Sequence, residues 1–174
     1  MKKFFIVALA AVALLSTSCE GFLEEENFGN PPIEDMMSNA ENVVLLVGQA
    51  YAEVKWVHDH WGYWGVNTLT SDEGVCPTRL PGEHWADGGY WKNLNTHNWN
   101  AFGDAFKNIW NSTISGAVLC NKLINTLDTY QASMSKELYL QYRGELEVMR
   151  SYYYYLLFDS FGRIPYLEVF EDVT

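Results

Sequence analysis

The sequence predicts a mainly all-α fold behind an export signal. Three apolar stripes recur at helical spacing, capping or acidic residues stand at their starts, and Gly162 followed by Pro165 stops the last of them. At 174 residues, with 48% hydrophobic side chains, the chain is long enough for one domain with a real core.

The first element is not part of that core. Lys2 and Lys3 give a positive start, Phe4 to Leu15 form an unbroken apolar run, and Ser16-Thr17-Ser18 place small residues before Cys19. The run is too short to span a bilayer. The arrangement resembles a bacterial lipoprotein signal, with Cys19 as the lipidated first residue of the mature chain. An ordinary secretory signal cut near a cysteine is the alternative, because Ser16 stands where a large apolar residue is common. From Glu20 to Pro32 the sequence is acidic and turn-rich, as a spacer would be. The expected organisation is therefore a signal over 1–18, an acidic spacer over 19–38 and a helical domain over 39–174.

Ser38 and Glu41 have the spacing of a capping box, and Val43, Val47, Ala50, Tyr51 and Val54 follow as the first stripe. A long glycine-containing stretch comes next, holding Trp56, Trp61, Trp64, Trp85, Trp91 and Trp99. Asn100 is then placed to cap a second, long helix with Phe102, Phe106, Ile109, Thr113, Ala117, Cys120, Ile124 and Leu127 on one face. A third helix from about Lys136 lines up Leu138, Tyr142, Leu146, Met149, Tyr153 and Leu156, and Arg143 with Glu147 should form a weak exposed pair on it. Ile164 to Val169 reads as the start of a strand. The last two helices make an antiparallel hairpin, which cannot hide both of its stripes alone.

Charge excludes one class of partner. The chain carries 22 acidic against 11 basic residues, and losing residues 1–18 takes two lysines and no acid, moving the net charge from -11 to -13. Such a field repels phosphate backbones, so no nucleic acid partner is expected. With Cys19 lipidated, Cys76 and Cys120 remain, either as a disulfide or as two buried thiols.

Several ordered segments carry a family resemblance. CEGFLEEENFGNPP opens the mature chain, and Trp110, Ile114 and Cys120-Asn121 mark the second helix. GELEVMRSYYYYLLFDSFGRIPYLE contains Glu145, Arg150, Tyr152 to Tyr155, Phe161-Gly162 and Pro165, while residues 70–99 hold an Asp-Glu pair and a Trp-x-Asp-Gly-Gly core. Together they are similar to the SusD-like (RagB/SusD) outer-membrane lipoproteins. The resemblance implies tetratricopeptide-like helical hairpins and a lipid anchor on the outer face of the outer membrane. It also implies capture of an oligosaccharide for a SusC-like TonB-dependent transporter. Family members are longer, so the chain reads as their N-terminal portion.

A glycan site is expected in the tryptophan-rich stretch, because pyranose C–H groups pack on aromatic faces while amides and carboxylates take the hydroxyls. Trp85, Asp87, Trp91 and Asn93 are the first candidates, with Trp64 and Asn67 next. Each tryptophan has core packing as its alternative, and each asparagine a turn role. His58-Asp59-His60, even with His84 or His97, lacks the spacing of a zinc site. Asp72-Glu73 with Asp87 lacks any mark of a glycosidase acid. No catalytic residue, metal or cofactor is therefore assigned. The rival to a glycan binder is a helical scaffold or lid that serves only the transporter. The two separate on tryptophan exposure, since a binder should present rings on an open surface and a scaffold should bury them.

Overall fold

The computed structural model describes residues 32–37, 39–77, 79–81 and 87–168. The signal, Cys19 and most of the spacer lie outside them, as do Ser38, His84 and Trp85. Six α-helices account for the regular structure of the described residues: α1 Ile33–Met37, α2 Ala40–Val57, α3 Tyr63–Thr70, α4 Tyr90–Asn95, α5 Asp104–Thr129 and α6 Lys136–Phe161. The all-α expectation holds. None of these helices is long and apolar enough to cross a membrane.

α1 was not anticipated. It falls in the stretch read as spacer, yet Met37 is buried and Ile33 packs on the main core, so the packed domain reaches back before residue 39. α2 begins one residue later than a Ser38 cap would set it, with Asn39 as its cap: the Asn39 side chain accepts from the Glu41 N–H at 2.9 Å. Val43, Val47 and Ala50 are buried as read, and Leu46 and Val57 join them. Tyr51 does not. It sits at the edge of the stripe, is exposed, and donates to Glu145 of α6 at 3.2 Å.

α5 starts at Asp104, four residues after the expected cap, because Asn100 spends its side chain on a local turn, accepting from Phe102 N–H at 2.9 Å. The cap comes instead from α4: the Tyr90 hydroxyl accepts from Ala105 N–H at 3.1 Å, taking one of the orphan amides of the first turn. Phe102, outside the helix, is 92% exposed rather than buried. From Ile109 onward the stripe is as read, with Thr113, Ala117, Cys120, Ile124 and Leu127 all buried.

α5 and α6 pack along their lengths as an antiparallel hairpin, closed by a 3-10 turn at Gln131–Ser133. Ser135 caps α6 by accepting from Leu138 N–H at 3.2 Å, and the helix ends at Gly162 with φ 71°. Pairs across the hairpin run in opposite senses, Asp128 with Arg143 near the turn and Trp110 with Phe161 at the open end. Arg143 is more than a local pair partner: it holds Glu147 on its own helix and Asp128 of α5 at 3.0 Å, and Tyr139 also donates to Asp128.

Two cores result. The larger joins α1, α2, α6 and the C-terminal half of α5; the smaller gathers Val66, Trp91, Leu94, Ala105 and Ile109 from α3, α4 and the start of α5. Cys120 is sealed in the first and Cys76 packs on the second, both as free thiols, and burial pushes the Cys120 thiol up to about 12.

Residues Ile164 to Glu168 form no strand, for no second strand lies beside them among the described residues. At Leu167 and Glu168, helix side chains bond the backbone instead. The Tyr154 hydroxyl accepts from Leu167 N–H at 3.0 Å and donates to Leu167 C=O at 2.8 Å, and Asn121 donates to the same carbonyl at 2.8 Å. Arg150 donates to Glu168 C=O at 3.0 Å and to Asn121 Oδ1 at 2.9 Å, which pairs both of these buried polar side chains.

Candidate functional site

The segment Asp87-Gly88-Gly89 builds the entry to α4. Gly88 and Gly89 have φ of 65° and 91°, a conformation open to glycine at little cost. That turn lets both Asp87 carboxylate oxygens fold back on the backbone, accepting from Gly89 N–H at 3.1 Å and Trp91 N–H at 2.6 Å. Asp87 is therefore committed to capping. The same turn drives Trp91 inward: it is 2% exposed, with its ring 4.4 Å from Trp61 and 5.2 Å from Tyr90 between centroids. A buried ring has no free face for a sugar, so Trp91 is a core residue, contrary to expectation. Trp85 lies outside the described residues. Asn93 stands exposed on α4.

Trp64 is 55% exposed at the start of α3, and Asn67 is exposed one turn later with its amide donating to Tyr63 C=O at 2.8 Å. The ring and amide sit on a rigid element. α3 is held to α6 by Tyr63, whose hydroxyl donates to Asp159 at 2.7 Å; desolvation first, and that bond second, push the phenol up to about 12. His58 pairs with the Tyr152 hydroxyl of α6, and His60 with Asp59 at 2.7 Å. Both histidines thus have protein partners, and among the described residues no three His, Cys, Asp or Glu side chains are grouped to hold a metal.

The structure assembles a constellation that sequence reasoning did not single out. A cleft of about 350 Å³ is lined by Trp56 at the end of α2, Asp59 and Trp61 in the following turn, and Asn108 and Ser112 on α5. Trp56 is 59% exposed and Trp61 half-buried. Trp61 is locked from behind by Trp91 and Tyr90, and from its backbone by Asp59, which accepts its N–H at 3.0 Å, and Asn108, which donates to its C=O at 3.4 Å. Asn108 and Ser112 lie four apart, on one helical face. Lys55 sits 5.6 Å from the centroid of the Trp56 ring.

Chemically, the cleft combines two indoles with an acceptor, an amide and a hydroxyl, the complement of a pyranose that is apolar on its faces and hydroxylated at its edge. The outward position of Trp56 was readable, since it falls between Val54 and Val57 and off the α2 stripe. The approach of Asn108 and Ser112 was not, because some fifty residues separate them from the tryptophans.

The sequence model of the SusD-like_3 family, described as starch-binding associating with outer membrane, matches residues 34–172. No curated protein and no solved structure matches the chain significantly.

Proposed function

The chain belongs to the SusD-like family, starch-binding and associated with the outer membrane, and from that premise we propose that it binds an oligosaccharide in the Trp56–Trp61 cleft and delivers it to a SusC-like TonB-dependent transporter. The observation that carries this reading is the cleft itself, where two indoles share one opening with Asp59, Asn108 and Ser112. Exposure of the tryptophans favours a binder over a pure scaffold: Trp56, Trp64 and Trp99 are 59%, 55% and 42% exposed. Trp64, Asn67 and Asn93, exposed on α3 and α4, belong to the same proposal as further candidate contacts, whereas Trp91 packs on Trp61 from behind. The proposed role is binding without catalysis, in keeping with the family's description as starch-binding.

Anchoring through lipidated Cys19 belongs to this proposal too. A tethered binder beside its transporter works at high effective concentration, so affinities of order micromolar to millimolar suffice. The tetratricopeptide-like stacking implied by the family resemblance would place further helix pairs over exposed apolar side chains such as Leu45 and Val148.

Calorimetry of the full chain against a starch-derived oligosaccharide tests the site. Trp56→Ala should weaken binding at least about tenfold, in line with a lost stacking contact, with the circular dichroism spectrum unchanged; binding indifferent to that change would sink the assignment. In cells, Cys19→Ser should move the protein out of the membrane fraction, and continued membrane retention would count against the anchor.

A further inference from the structure

We infer that the Trp56–Trp61 cleft selects uncharged saccharides over uronate-containing or sulfated ones, with Asp59 as the specificity-determining residue. This rests on the glycan-binding reading of the cleft and adds the chemical class of its ligand.

Among the described residues that line the cleft, Asp59 is the only one that carries a charge. Its position is fixed, because one carboxylate oxygen accepts from Trp61 N–H at 3.0 Å and meets His60 Nδ1 at 2.7 Å. The side chain is nevertheless 36% exposed, so a ligand can reach it. A carboxylate offers acceptors alone, which suits the hydroxyl of a neutral sugar. A uronate or sulfate would meet it acceptor to acceptor and charge to charge. The remaining polar groups of this lining, Asn108 and Ser112, are neutral donors, and among the described residues no guanidinium or ammonium lines the cleft to pair an anion. Lys55 stands over the Trp56 ring, 5.6 Å from its centroid, and is not among the lining groups. The net charge of -11 repels anions in the same sense.

One like charge at about 6 Å in a water-exposed cleft disfavours an anionic ligand by about three- to tenfold.

The test titrates the full chain, near neutral pH and at low ionic strength, with a neutral maltooligosaccharide and an oligogalacturonate of equal length. The neutral sugar should bind at least about tenfold more tightly, allowing for more than one uronate charge. Asp59→Asn keeps an oxygen for Trp61 N–H and should narrow the gap at least about threefold, mainly by improving uronate binding; added salt should narrow it in the wild type. Equal binding of both sugars by the wild type, or a gap unmoved by Asp59→Asn in a variant with native circular dichroism, overturns the selectivity alone. Neutral-sugar binding that survives Trp56→Ala unchanged overturns the site, and the selectivity with it.

Discussion

Gly116 illustrates how tightly single residues are set in the hairpin. A methyl group there would stand 2.5 Å from Tyr153 Cε1 and Cζ, and Tyr153 cannot retreat: it is fully buried and its hydroxyl donates to Ala50 C=O of α2 at 2.5 Å. Gly116→Ala would normally favour a helix by roughly 1 kcal/mol. Overpacking against a trapped ring works against that preference, and the net change should be a loss of about 1–3 kcal/mol in urea unfolding. An unchanged or raised midpoint would mean that the ring moves aside freely. The four consecutive tyrosines obey the helical period on this scale, with Tyr153 and Tyr154 buried, Tyr152 half-buried on His58 and Tyr155 exposed. Periodicity separates them by direction. It does not reveal that three of their hydroxyls reach outside α6, Tyr152 to His58, Tyr153 to Ala50 and Tyr154 to Leu167.

Helices were the legible elements, and their connections were not. The stripes of α2, α5 and α6 are sums over many positions, so a local error such as Tyr51 or Phe102 leaves the assignment intact. Starts and stops depend on single contacts instead. α5 begins late because Asn100 folds onto Phe102 and because Tyr90, on another helix, supplies the cap. The segment after α6 carries strand-like residues but no partner strand, and side chains take over the ladder's work. Tyr154→Phe removes the acceptor for Leu167 N–H and one donor to its carbonyl. Hydrogen exchange at the Leu167 amide should accelerate at least about tenfold, the equivalent of one net hydrogen bond, while the α6 core amides keep their protection. Unaltered exchange at Leu167 would show that Tyr154 does not hold the segment.

Across residues 33–168, α5 is the shared wall: Ala105 and Ile109 belong to the smaller core, and Ala117, Cys120 and Leu127 to the larger. Tyr63 and Phe161 pack against both. Alkaline pH should therefore act on the domain as a unit. Tyr63 and Cys120 are pushed up to about 12 from ordinary values of 10.0 and 9.0, and burial raises Tyr153 further. Each is favoured as the neutral form when folded, so its contribution is complete below the unfolded-state pKa. That contribution is lost as pH rises through the folded value. Urea midpoints should stay level to about pH 9 and fall steadily toward pH 12. A midpoint still flat at pH 11 would contradict the burial of these groups.

What the sequence determined by itself was the class of the molecule: helices, from the 3.6-residue recurrence of apolar positions, and family, from motifs spread in order along the chain. Those signals are local or cumulative, and survive single misreadings. Tertiary structure alone decided which tryptophans share an opening with polar groups. The α2 period turns Trp56 outward, but only the folded chain buries Trp91 against Trp61 and brings Asn108 and Ser112 beside Trp56. Availability is set by what the chain brings back from some fifty residues away, and no local pattern encodes that return.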